Sequence, residues 1–317
     1  MNKIYKMYEM TENLHRLPPK LDFFLLAANN NTRCYNCFNE LSNAKYNINQ
    51  SIIFEYEKLK TNNLFIESLN KNYSFDSRVY CSNNNDDDDV KHVVKLPIKE
   101  STELGIDITG FTIPDIFRIF FVLKEIIKIS KIHVFYTEPQ FYLFKNSLFS
   151  QYGFLTEEGE YSGIKEYMNS GSNADETLVL FLGFDKDASN YIHAQAYPAE
   201  VVAINGFPSY LPKWKDISLF NNDILLNENN MNESGKMFFA RANNPFSAYN
   251  TLYDVYEKFP QKLLNICVLG TKPMALGACL FALDNMEKVK VTYLYPKTYN
   301  SETTESSTKT WYYIVDL

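Results

Sequence analysis

The sequence predicts an α/β protein of two tandem Rossmann-like units, an internal duplication with mostly parallel sheets and a C-terminal antiparallel edge strand. Three observations carry that expectation. Apolar runs of strand length alternate with helical segments through both halves of the 317-residue chain. Two strand–glycine–helix junctions, Ile106–Leu123 (IDITGFTIPDIFRIFFVL) and Asn265–Leu283 (NICVLGTKPMALGACLFAL), share one plan. Finally, landmarks in the two halves recur at a near-constant offset, as a duplicated domain requires.

The offsets are specific. Gly110 and Gly270 stand 160 positions apart, and a leucine follows each by thirteen, Leu123 and Leu283. A Tyr-x-x-Pro-x-x-Tyr pattern follows each helix, Tyr136, Pro139 and Tyr142 in one half and Tyr293, Pro296 and Tyr299 in the other, 157 apart. The first strands, Leu21–Ala28 (LDFFLLAA) and Thr177–Gly183 (TLVLFLG), are offset by about 155.

In chain order, residues 1–19 read as a polar lead-in ending at Pro18-Pro19, and residues 20–150 as the first half. Leu21–Ala28 is apolar throughout, which marks a strand covered on both faces. Asn29–Thr32 offers N-cap residues for a helix over Arg33–Ala44. Ser51–Tyr56 is the second strand and Asn62–Leu69 the second helix. Four adjacent aspartates, Asp86–Asp89, lack the spaced ligands of a cation loop and read as a solvated turn. The third strand and its long helix run from Ile106 to Ile129, with Lys131–Tyr136 as the fourth strand and Phe141–Phe149 as a helix. Residues 151–176, rich in Gly, Ser, Glu and Asn, are the expected connector.

The second half, 177–317, repeats the alternation. A helix over Ala188–Ala196 follows its first strand, and a strand over Glu200–Asn205 leads into the aromatic loop Gly206–Trp214. Phe246–Phe259 is helical. Thr298–Thr310 is polar and expected to be loop, and Trp311–Asp316 is expected to close the sheet as its antiparallel edge.

Composition narrows the function classes. The formal net charge is −7, with 31 basic and 38 acidic residues, against any general affinity for duplex DNA or anionic membranes. The longest apolar stretch, Ile113–Ile129, carries Asp115, Arg118, Lys124, Glu125 and Lys128 and so reads as a buried helix, not a membrane span. Met1–Met10 lacks the apolar core of a signal peptide, and a cytoplasmic location is expected. Cys34 and Cys37 form a C-x-x-C without a second ligand pair, so no metal site and no cofactor are expected.

Ligands of such sheets sit at the carboxyl ends of the strands. The candidates there are Thr109, Gly110 and Thr112 in the first half, with Tyr136 and Glu138, and Asp185, Tyr210, Gly270, Thr271, Lys272 and Lys297 in the second. A glycine turn opening a helix presents backbone N–H groups and a positive dipole end to an anion. Pro273 suits the first helical turn, and Lys272 adds a full charge. Glu138, Asp185 and Lys272 are the candidates for catalysis, with Glu138, Asp185 or Glu200 as general base and the lysine opposite phosphate charge.

The turn LGTKPMALGA, followed by the strand YLYP, resembles the Gly-Thr-Lys turn of CRISPR-associated Rossmann-fold (CARF) ligand-sensing domains. That resemblance implies binding of cyclic or linear oligoadenylates at strand ends, with Gly270, Thr271 and Lys272 contacting phosphate or ribose. It also implies a bacterial antiviral signalling role, exercised through a separately encoded effector. The first-half turn, Thr109 to Thr112, has no lysine, so the two halves are expected to bind unequally. The competing expectations are a nucleotide-hydrolysing enzyme, phosphodiesterase or glycosidase in type, and a structural subunit of a defence complex.

Overall fold

The computed structural model describes residues 6–28, 31–56, 76–81, 93–142, 159–169, 175–231, 234–260, 262–296 and 304–317. The chain divides into two compact units, Met1–Leu143 with Asn300–Leu317, and Phe144–Tyr299.

The first unit is built on a seven-stranded sheet. Its strands are β1 (Lys6–Glu9), β2 (Leu21–Ala28), β3 (Ile48–Tyr56), β4 (Ser77–Cys81), β5 (Leu104–Asp107), β6 (Lys131–Tyr142) and β13 (Thr304–Asp316). They lie in the order β1-β13-β6-β5-β2-β3-β4. The five from β6 to β4 are mutually parallel, whereas β13 and β1 run antiparallel to their neighbours. The helices include α1 (Asn36–Asn43), which follows a 3-10 turn over Thr32–Tyr35, and α2 (Ile113–Phe121), which passes into a π-helical turn over Val122–Ile126. β2 occupies the centre of the sheet because its residues are almost all apolar and buried, with Phe24, Leu26 and Ala28 packed on Cys34, Cys37 and Leu41 of the turn and α1.

The second unit carries a six-stranded sheet of β7 (Glu160–Gly163), β8 (Glu176–Phe181), β9 (Glu200–Gly206), β10 (Met237–Ala240), β11 (Leu263–Val268) and β12 (Val289–Tyr295), ordered β10-β9-β8-β11-β12-β7. All pairs are parallel except β7 with β12. Its helices are α3 (Lys186–Ala196), α4 (Pro212–Asn221), α5 (Asp223–Glu228), α6 (Pro245–Lys258) and α7 (Lys272–Asp284). Every residue of α7 from Pro273 to Leu283 is buried, which its small-residue apolar sequence permits. At Gly277 a Cβ would lie 2.0 Å from the Pro245 carbonyl oxygen, so only glycine admits α6 at this distance.

Numbered by appearance within each unit, the parallel strands of both sheets follow 3-2-1-4-5, with an antiparallel strand beside strand 5. Gly110 and Gly270 both fall between strand 4 and the helix after it, as the internal duplication predicts.

The structure departs from the sequence reading at the chain ends and the junction. β13 belongs to the first sheet, not the second, and is no edge: it lies between β6 and β1. Its Tyr312, Tyr313 and Val315 are fully buried there, and backbone pairing along β6 fixes the register, Tyr312 opposite Phe135. Residues 304–310, read as loop from their polar composition, are strand because β6 supplies the ladder. The lead-in contributes β1, paired with β13, and the connector contributes β7, paired with β12. Phe141 and Tyr142 extend β6 rather than beginning a helix. Consequently Pro139 lies inside β6, opposite Ser307, while Pro296 follows the end of β12. The expected helix Asn62–Leu69, the aspartate run Asp86–Asp89 and Lys297 lie outside the described residues.

Candidate functional site at the carboxyl edges of the sheets

In each sheet the chain leaves strands 1 and 4 in opposite directions, a topological switch point of the kind at whose carboxyl ends such sheets bind ligands. In the second unit this point falls between β8 and β11. The two loops meet by backbone: a Cβ on Gly183 would stand 2.3 Å from the Leu269 carbonyl oxygen. The β8 loop is held from α4, where Ser218 Oγ and Asn222 Nδ2 donate to the Gly183 carbonyl at 2.9 and 3.1 Å. Asn221 Nδ2 donates to the Phe184 carbonyl at 2.7 Å.

Asp185 is the N-cap of α3. Its Oδ1 accepts from Ala188 N at 3.2 Å, and its backbone carbonyl accepts from Ser189 Oγ at 3.2 Å. The side chain is 4% exposed, and capping is the role the structure gives it. Tyr210 Oη donates to the Ala242 carbonyl at 3.0 Å and stands edge-on to Trp214, so the aromatic loop is tied to the segment after β10 and packed on itself.

At α7, Thr271 is the N-cap, and its Oγ1 accepts from Met274 N at 3.4 Å. The same hydroxyl donates to the Ala242 carbonyl. The hydroxyl assigned from sequence to phosphate or ribose is therefore engaged within the fold. Pro273 has no N–H, so the backbone donors at the mouth of α7 are those of Gly270, Thr271 and Lys272. Lys272 is the first helical residue and half-buried. A Cβ on Gly270 would meet Met274 Sδ at 3.3 Å, the Leu182 carbonyl oxygen at 3.5 Å and Phe181 Cβ at 3.6 Å, and the glycine itself is half-buried.

The corresponding turn of the first unit is tighter. A Cβ on Gly110 would stand 1.8 Å from the Ala27 carbonyl oxygen. Thr109 is fully buried, and its Oγ1 accepts from Thr137 N at 2.9 Å, which ties the turn to β6. Thr112 caps α2 by accepting from Asp115 N at 3.3 Å and donates to the Asp115 carboxylate. Tyr56 Oη donates to that carboxylate at 2.5 Å. Burial pushes the Asp115 pKa up, and the bonds from Thr112 and Tyr56 oppose it.

On β6, Tyr136 is buried and its Oη accepts from Arg33 Nη1 at 3.3 Å. Glu138 is no open general base in this structure: Trp311 Nε1 donates to its Oε1 at 2.5 Å and Thr308 Oγ1 to its Oε2 at 3.3 Å. The first unit thus brings Thr109, Gly110, Thr112 and Tyr136 to one sheet edge, and the second does the same for Asp185, Tyr210, Gly270, Thr271 and Lys272. Sequence reasoning passed over Arg33, the buried partner of Tyr136. The available signal was an arginine five positions past the central strand.

No protein-family model matches the chain, and no curated protein sequence matches it. Among solved structures it is similar to a functionally unknown protein of Pseudomonas aeruginosa PAO1, at 10% identity over 87% of this chain and 93% of that one, with a TM-score of 0.28. It is likewise similar to a putative universal stress protein of Pseudomonas aeruginosa UCBPP-PA14, at 9% identity over 86% and 93%, with a TM-score of 0.27. The cytoplasmic domain of a prokaryotic cation chloride cotransporter matches at 9% identity over 89% and 98%, with a TM-score of 0.25. The fold assignment rests on the strand order itself.

Proposed function

We propose that the chain is a nucleotide-sensing module that binds a phosphate-bearing ligand at the Gly270–Lys272 turn and signals to a separately encoded partner. The observation that carries the proposal is the placement of that turn, at the topological switch point between β8 and β11 and at the N-terminus of the thirteen-residue helix α7. Lys272 brings a full charge to the partial charge of the helix end. Gly270 is only half-buried and has no side chain, which supports close contact of its backbone with a phosphate. The resemblance of LGTKPMALGA to the ligand turn of CARF domains supports an oligoadenylate as the ligand and bacterial antiviral defence as the setting.

Sensing is favoured over hydrolysis because the three carboxylates offered as bases are engaged within the fold, Glu138 by Trp311 and Thr308, Asp185 at the α3 cap and Glu200 by Lys236. The test is a thermal-shift screen over mononucleotides and linear and cyclic oligoadenylates, then calorimetric titration of the best binder into wild type and Lys272→Ala. A charge-assisted hydrogen bond contributes about 1.5–3 kcal/mol. Lys272→Ala is therefore expected to bind about ten- to a hundredfold more weakly at an unchanged melting temperature. Equal affinities would remove Lys272 from the site. Conversion of the ligand on incubation, followed by chromatography, would replace the sensor with an enzyme.

A further inference from the structure

Arg33 sits in the 3-10 turn that follows β2, and only 8% of it is exposed. A guanidinium keeps its charge throughout the working pH range. Burying such a charge is costly unless an opposite charge or a full set of hydrogen bonds compensates. The partners of Arg33 are neutral. Its Nη1 donates to Tyr136 Oη at 3.3 Å and to the Thr137 carbonyl at 2.6 Å, and its Cζ lies 5.6 Å from the centre of the Tyr136 ring. Its Nε is buried and has no hydrogen-bond partner among the described residues.

Two carboxylates of the same unit hold other donors. Glu138 accepts from Trp311 and Thr308, and Asp107 Oδ1 accepts from Thr109 N at 2.9 Å. Arg33 is also tied to the α2 turn: Thr137, whose carbonyl it holds, donates its N–H to Thr109 Oγ1 three residues before the Thr112 cap. A charged donor fixed at one end, with Nε uncommitted, has the geometry that binds a phosphate through the guanidinium fork.

We propose that Arg33 is the centre of an oxyanion site on the carboxyl edge of the first sheet, and that it takes a phosphate group. Tyr136 and the Thr137 carbonyl hold the guanidinium in place, and Nε is the donor directed to the ligand. The first-unit turn, which has no lysine of its own, draws its positive charge from the turn after the central strand. This site lies in the other unit from the Gly270–Lys272 turn and stands or falls without it.

The test uses the full chain and inorganic phosphate as the probe, against chloride at equal ionic strength. Arg33→Met keeps an apolar stem and removes the charge. Phosphate should raise the wild-type Tm by about 2–4 °C and leave that of Arg33→Met unmoved. In chloride alone, Arg33→Met should melt no lower than wild type, because an uncompensated buried charge has been removed. A phosphate shift equal in both proteins, or absent from wild type, overturns the proposal, as does a chloride-only loss of stability in Arg33→Met. Should Arg33→Met fail to fold, titration of phosphate into wild type and Arg33→Lys decides the matter. The lysine keeps the charge but has no fork, so binding at least about tenfold weaker is expected, and equal binding overturns the assignment.

Discussion

The indole Nε1 of Trp311 donates to Oε1 of Glu138 at 2.5 Å, across a sequence separation of 173 residues. The bond ties β13, the last strand of the chain, to β6, with the whole second unit lying between them in sequence. Because β13 stands between β6 and β1, its removal would strip one face of the β6 ladder and leave β1 with no partner. A chain truncated after residue 303 should therefore lose the cooperative unfolding of the first unit, monitored by circular dichroism and limited proteolysis. Trp311→Phe, which leaves the buried Glu138 short of a donor, should cost about 1–3 kcal/mol by chemical denaturation. A truncated chain that melts like the full one would place β13 at the periphery.

The two turn glycines should respond differently to a methyl group. At Gly110 the added Cβ meets backbone at 1.8 Å, whereas at Gly270 the nearest atom is a flexible methionine sulfur at 3.3 Å. Gly110→Ala is expected to destabilise by more than about 2 kcal/mol and Gly270→Ala by less than about 1 kcal/mol. Denaturant titration of both variants checks the order, and the reverse order would refute the packing described.

Stability should carry a histidine signature. His133 is buried between Tyr312 Oη, 2.7 Å from Nδ1, and Glu103 Oε2, 2.9 Å from Nε2. Desolvation lowers its pKa below the usual 6.5, and the bond and charge of Glu103 pull the other way. With the folded value depressed, the unfolded chain binds more protons below pH 6.5. The His133 contribution is thus complete above that pH and declines as the pH falls from it toward the folded value. The difference in unfolding free energy between wild type and His133→Gln should shrink from pH 7.5 to pH 5.5. A difference that holds constant or widens would reverse the sign.

The C-x-x-C pair should be chemically quiet. Cys34 and Cys37 form no disulfide and are fully buried, and burial pushes the Cys37 thiol well above its ordinary range. Iodoacetamide should label both only after denaturation, as read by peptide mass spectrometry. Rapid labelling of the native protein would contradict their placement.

The sequence by itself determined the alternation of strands and helices, the central strands and the duplicated junctions. Those features are local: LDFFLLAA has no polar face to expose, and Thr-x-Pro at Thr112–Pro114 and Thr-Lys-Pro at Thr271–Pro273 encode cap and first turn within three residues. It did not determine which sheet receives β13, because a strand without its partner has no register, and the choice is made by β6. The same holds for β1 and β7, four-residue strands that exist only through their ladders. Nor does composition distinguish a hydroxyl that meets a ligand from one spent on the fold. Thr271 and Thr109 read alike in sequence, and only tertiary packing commits the one to Ala242 and the other to Thr137. Arg33 is the converse case, a residue unremarkable in sequence whose charge becomes significant because folding buries it among neutral oxygens.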